Sequence, residues 1–186
     1  MNTNTERIVD EPGYELINGE EIMMSPARPI HNWIAGNLYR ILGNYLKGKR
    51  CKVYFDVYVL LGKERLAPDV FVVCDTNKIK DGYVEGAPDF VAEVLSISTQ
   101  NRDLGVKKDI YEKHGVSEYW IIDPWNESIT VYHLKDGKYR LENIYRNLSD
   151  KEIESYEDEK ERSLIKLTLK IRLYNDLEIS IRDIFE

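Results

Sequence analysis

The chain has 186 residues, 42% of them hydrophobic and 32% charged, with a formal net charge of −7. Those values suit one globular domain with a real core and argue against a strongly basic nucleic-acid-binding module. No run approaches a membrane-spanning length and the first residues hold no apolar leader, so a cytoplasmic protein with no membrane partner is expected.

Residues 1–12 read as a flexible arm and 13–186 as a single domain. Tyr14-Glu-Leu-Ile and Glu20-Glu-Ile-Met-Met flank Asn18-Gly19, a pair that favours the tight turn of a hairpin. Glu15 and Glu20 default to exposed strand positions. Pro26 and Pro29 break the chain. Ile30, Trp33, Ile34, Leu38, Ile41, Leu42, Tyr45 and Leu46 then follow a helical period, and Gly48 supplies a stop. Val53, Phe55, Val57, Val59 and Leu61 alternate as in a single strand, and residues 61–65 read as a turn. Strands follow near 69–74 and 89–95, with a polar loop between them. Asp103 is expected to cap a helix running to His114, ahead of Gly115. Glu118-Tyr-Trp-Ile-Ile-Asp123 is a strand stopped by Pro124. Residues 128–134 and 138–145 form a second hairpin about Asp136-Gly137.

Segment 149–162 is a charged insertion without apolar period, expected to be a linker or exposed loop. It carries much of the negative charge, which leaves the rest of the chain closer to neutral. Ile165, Leu167, Leu169, Ile171 and Leu173 alternate as a half-exposed strand, and residues 179–186 predict a short terminal helix. Cys51 and Cys74 both fall in strand-like runs. Two buried free thiols are expected, with pairing open only if their strands meet. Without clustered histidines they make no zinc site.

Asp69 and Glu93 carry the chemistry. Each lies at or beside the end of an apolar run, Asp69-Val-Phe-Val-Val-Cys and Phe90-Val-Ala-Glu-Val-Leu. A carboxylate is costly to bury unless a cation or hydrogen bonds compensate it. Neighbouring strands would bring the two together, and such oxygen ligands suit magnesium, with manganese as substitute, better than zinc. Asp69 could otherwise be a turn residue after Pro68, and Glu93 a buried salt-bridge partner. Asp89 shares a face with Glu93, but about 13 Å would separate their Cα atoms, so it reads as structural.

From about Tyr14 to Tyr132 the chain resembles the Uma-type family of restriction-endonuclease-like proteins. The resemblance rests on Tyr14-Glu-Leu-Ile-Asn-Gly-Glu20, Met24-Ser-Pro26, His31, Ala67-Pro-Asp69, Gly86-Ala-Pro-Asp89, Glu93-Val-Leu-Ser96, Ser98-Thr99, Arg102-Asp103, Lys107, Tyr111, Gly115-Val116, Glu118-Tyr-Trp120 and Asp123-Pro124. It implies an α/β fold of the PD-(D/E)XK nuclease superfamily: a restriction-endonuclease-like core with a mixed central sheet flanked by helices, an N-terminal hairpin and extra C-terminal strands. It also implies that Asp69 and Glu93 hold magnesium, with the Val94 carbonyl completing the shell. In that pattern Leu95 stands where the superfamily has its catalytic lysine.

Lys107, on the helix that crosses from one strand to the next, is the candidate replacement. Its expected role is to orient water or help deprotonate it, and to stabilise charge on a phosphate. Its truncation is expected to abolish cleavage and leave stability nearly unchanged. Lys108 is the fallback, Gln100 a weaker one, and His31 an accessory residue. The implied activity is magnesium-dependent hydrolysis of DNA by an endonuclease, acting as a homodimer. The alternative is a non-catalytic nucleic-acid or protein-interaction module on the same fold.

Overall fold

The chain's two continuous apolar runs become strands buried on both faces. The computed structural model describes residues 13–186, and the arm expected at 1–12 lies outside them. Strands β6 (Val70–Val73) and β8 (Phe90–Val94) are buried at every position. They sit inside a six-stranded sheet with β3 (Lys52–Tyr54), β9 (Glu118–Asp123), β10 (Ser128–Lys135) and β11 (Lys138–Arg146), in the order β11-β10-β9-β8-β6-β3. β8 and β9 are parallel and their neighbours antiparallel, so the sheet is mixed. A parallel pair needs a crossover. Residues 95–117 supply it through α2 (Gln100–Leu104) and α3 (Val106–His114).

Side chains alternate across the sheet, and each face has its own core. Val70, Val72, Phe90, Ala92, Val94, Trp120 and Ile122 pack with Ile34, Leu38, Leu42 and Leu46 of α1 (Pro29–Leu46) and with Leu169, Ile179 and Ile184 near the C-terminus. Phe71, Val73, Val91, Leu95, Tyr119 and Ile121 pack with Ile110 and Tyr111 of α3 and with a second sheet. That sheet has the order β2-β1-β5-β4-β7, built from β1 (Tyr14–Ile17), β2 (Glu20–Met23), β4 (Tyr58–Leu61), β5 (Glu64–Leu66) and β7 (Tyr83–Glu85). Each such aliphatic side chain removed from water contributes about 1.5–3 kcal/mol.

Both hairpins, the long first helix and the strand at 118–123 stand where their signals put them. The strand expected over 53–61 is two strands in different sheets. The chain leaves one sheet after Tyr54 and joins the other at Tyr58, with Asp56 at φ +52° between them. Apolar alternation reads the same on either side of such a break. The polar loop before β8 hides β7, three residues that pair in parallel with β4.

Asp103 lies inside α2 rather than capping a helix, because the helical segment breaks at Gly105 (φ −115°, ψ −104°). A Cβ at Gly105 would sit 2.8 Å from the Asn101 carbonyl oxygen, closer than any other side chain allows. The segment expected as a loop at 149–162 instead holds the short helix α4 (Asp150–Glu154) and most of α5 (Glu159–Leu164), each started by a cap: a reciprocal Ser149–Glu152 box and the Asp158 side chain. The C-terminal strand shortens to β12 (Thr168–Lys170), which pairs with β13 (Glu178–Ser180) ahead of α6 (Arg182–Phe185).

Cys51 and Cys74 form a disulfide, contrary to the free thiols expected. Lys52 and Val73 are register partners in the antiparallel β3–β6 pair, so the residues just outside them meet across it. Among the described residues no helix is long and apolar enough to cross a membrane.

Glu118 joins the C-terminal segment to the sheet. It is fully buried, and its carboxylate accepts from the Trp120 indole (2.7 Å) and the Arg172 amide (2.6 Å). Glu118→Ala strands both donors. At 1–3 kcal/mol for each buried unsatisfied group, the variant is expected to lose about 3 kcal/mol, read from urea unfolding.

Candidate active site

The site forms where the β6–β8 ladder ends. Val70 pairs with Ala92, so Asp69 stands opposite the chain just past that pair. Its side chain takes over the ladder: Asp69 Oδ2 accepts from the Val94 amide at 2.7 Å, while the Asp69 amide donates to Glu93 Oε2 at 3.3 Å. The Leu95 amide bonds the Ile122 carbonyl on the β9 side. The peptide groups of Val94 therefore face Asp69. His31, at the start of α1, places Nε2 3.1 Å from Asp69 Oδ2.

Glu93 shares its face with Val91 and Leu95, so it lies beneath α3. Lys107 and Tyr111 are one turn apart on that helix and both reach Glu93 Oε1, at 2.6 and 2.8 Å. Lys107 Nζ is also 3.1 Å from Glu15 Oε1 and 3.5 Å from Asp103 Oδ1. Glu15 in turn accepts from the Ala67 amide at 3.0 Å. Glu93 is 2% exposed and Lys107 4%.

Three carboxylates thus share one ammonium. Burial by itself would lower the Lys107 pKa, but Glu93, Glu15 and Asp103 outweigh it and hold the amine well above the ordinary lysine value. Burial pushes the Glu93 carboxyl well up against the pull of Lys107, and Asp69, Asp103 and Glu15 push it further. Asp103 is raised by burial, partly offset by Lys107 and a Thr99 hydrogen bond. Burial would lower His31, but its hydrogen bond to Asp69 and that residue's charge leave it raised. Glu93, Asp103, Lys107 and His31 are thus all raised, the two carboxyls chiefly by burial and the two bases by neighbouring negative charge. The cluster lies in the wall of a cavity of about 890 Å³, which Arg28, Arg102, Tyr39 and Phe55 also line.

A further cation fits this chemistry. Among the described residues no three His, Cys, Asp or Glu side chains form a complete metal cage. Two carboxylates in the cavity wall, with the Val94 peptide beside Asp69, are the partial set that magnesium takes when water and phosphate oxygens fill its remaining positions.

The structure brings together Asp69, Glu93, Val94, Lys107 and His31. It leaves out Lys108, whose Nζ lies 4.1 Å over the Tyr132 ring, and Gln100, which starts α2 away from the cavity wall. Asp89 accepts from the Cys74 amide at the other end of β8, in keeping with its structural reading. Glu15 is buried rather than exposed. Its signal was its spacing from Ile17, which puts both on the core face of β1. Asp103 belongs to the cluster through its i,i+4 spacing to Lys107, a signal masked by its likeness to a cap.

A family model described as "Uma2: Putative restriction endonuclease" matches residues 6–174. An uncharacterized protein of Synechocystis sp. is 27% identical over 127 residues, covering 66% of this chain and 67% of that protein. A crystal structure of a "putative nuclease belonging to DUF820" from Anabaena variabilis superposes with a TM-score of 0.73 at 18% identity, covering 97% of this chain and 96% of that one. The two share a mixed α/β fold.

Lys107 is buried and ion-paired, so its truncation is expected to cost stability rather than leave it nearly unchanged. Removing one partner of a buried pair costs about 3–5 kcal/mol, because the other charge is left uncompensated. Lys107→Met is expected to lose that much in metal-free urea unfolding, and Glu93→Gln in the same chain should restore part of it. Additive losses in the double-mutant cycle would show the two groups to be uncoupled.

Proposed function

The chain belongs to the Uma2 family, and from that premise we propose that it is a magnesium-dependent endonuclease hydrolysing phosphodiester bonds of DNA. The observation that carries the reading is the meeting of Asp69 and Glu93 at a ladder's end, inside a cavity wall with more carboxylates than its one lysine can neutralise. Asp69, Glu93 and the Val94 carbonyl are the residues that would hold the ion. Bound there, magnesium would acidify water and neutralise charge on the phosphate.

Hydrolysis adds a water oxygen to phosphorus as one ester P–O bond breaks. The water gives up a proton and the departing oxygen gains one. Lys107 is held as an ammonium, so it cannot take that proton, and its role narrows to stabilising negative charge that builds on the phosphate. His31 fixes the orientation of Asp69. Tyr111 and Lys107 fix one oxygen of Glu93 and leave its Oε2 toward Asp69.

A second reading, a non-catalytic nucleic-acid or protein-interaction module, draws on the net charge of −7 and on the close Lys107–Glu93 contact, which already satisfies the glutamate. Metal binding separates the two. Calorimetric titration with manganese is expected to give a saturable isotherm for the wild type that the Asp69→Ala/Glu93→Ala variant loses. Equal affinity in both would refute the metal site. In plasmid cleavage with manganese, Lys107→Ala is expected to lower turnover by orders of magnitude and Lys108→Ala to leave it near wild type. No cleavage of any nucleic acid by the wild type would favour the second reading.

The proposed active form is a homodimer, the commonest closed assembly. Sedimentation should then give about twice the chain mass of 21.8 kDa, and a monomer mass at working concentration would count against it.

A further inference from the structure

The cavity that holds the carboxylates has a second wall with no catalytic assignment. Phe55 lies in the crossing between β3 and β4 and is 53% exposed. It belongs to neither core, although the residues around it do. Its ring meets Tyr39 of α1 edge-on, with centroids 4.5 Å apart, and both rings line the same cavity as Asp69 and Glu93. A large apolar side chain left half open in a cavity wall marks a binding surface more than a packing one. Arg102 lines the same cavity, with Nε buried and without a partner among the described residues.

We propose that this nuclease site acts on unpaired nucleic acid, with one base of the strand packed against Phe55 and Tyr39 while its phosphate reaches Asp69 and Glu93. The proposal rests on the endonuclease reading above and names its substrate class. Three observations support it. In a duplex each base is stacked inward, away from a protein that grips its phosphate. An aromatic wall in the same cavity as the phosphate-directed carboxylates is therefore filled only by a base free of its stack. The cavity, at about 890 Å³, lies within the range of about 300–1,000 Å³ that encloses small ligands, and so accommodates a nucleotide rather than a helix. Finally, the basic side chains in its wall beyond the buried Lys107 and the Asp69-bound His31 are Arg28 and Arg102, too few to track both backbones of a duplex. Stacking, which every base can provide, must then supply much of the affinity.

The test is fluorescence anisotropy in calcium with labelled oligothymidylate, alone and annealed to oligodeoxyadenylate. The wild type is expected to bind the single strand more tightly than the duplex. Phe55→Ala should weaken single-strand binding about tenfold, the usual scale for losing one stacked base, and Phe55→Trp should retain it. Because Phe55 is outside both cores, melting temperature and manganese affinity should stay unchanged in both variants. Equal or tighter binding of the duplex, or a single-strand affinity indifferent to Phe55→Ala, would overturn the proposal. Those outcomes, combined with plasmid cleavage that needs Asp69 and Glu93, would leave the endonuclease reading intact and remove only its restriction to unpaired strands. Phe55-dependent binding without cleavage of any strand would do the reverse.

Discussion

A buried lysine and a buried glutamate in contact are expensive to create and more expensive to separate. The Lys107–Glu93 contact ties α3 to the end of β8, and through Glu15 and Asp103 the same ammonium reaches β1 and α2. Four elements, β1, β8, α2 and α3, converge on one nitrogen. None of these carboxylates would be tolerated at such burial without the lysine. The lysine would lose its proton in an apolar interior without them. The seam between the two sheets is therefore organised by charge, where the rest of both cores is organised by apolar packing.

This arrangement explains why the site lies where it does. β6 and β8 are buried on both faces, so a polar group can enter only where their pairing stops. Asp69 begins where Pro68 has removed a backbone donor, and Glu93 is the last position of β8 but one. The crossover that a parallel β8–β9 pair requires then carries Lys107 and Tyr111 over the same spot. The topology supplies a lysine from a helix, and Leu95, two residues after Glu93 on the same face, is free to fill the core.

Much of this was legible in the sequence. Asn-Gly and Asp-Gly pairs marked both hairpins, and a 3.6-residue period marked α1. Asp69 and Glu93 stood out because carboxylates are rare in such apolar runs. What was hidden shares a physical cause. Alternation cannot show that a strand changes sheets, as happens at Asp56, and a three-residue strand such as β7 is too short to have a period. The helices α4 and α5 arise from caps rather than from an apolar face. Helix geometry placed Lys107 and Tyr111 on one face and Lys108 on another. The cost of removing Lys107 depended on its burial, which follows from packing between elements and not from spacing along one of them.

The hydrogen bond from the Val94 amide to Asp69 has a consequence for ligand affinity. A surface carboxylate must give up rotamer freedom when it grasps a ligand, and that entropy is subtracted from the binding free energy. Here the loss has already occurred during folding. Backbone and His31 together clamp Oδ2, and among the described residues no hydrogen bond reaches Oδ1. The side chain is preorganised: one oxygen is anchored by the sheet and the other is presented in a fixed direction. The sheet's own ladder acts as the jig that aims the aspartate, so any change that lets β6 slip against β8 would alter its aim.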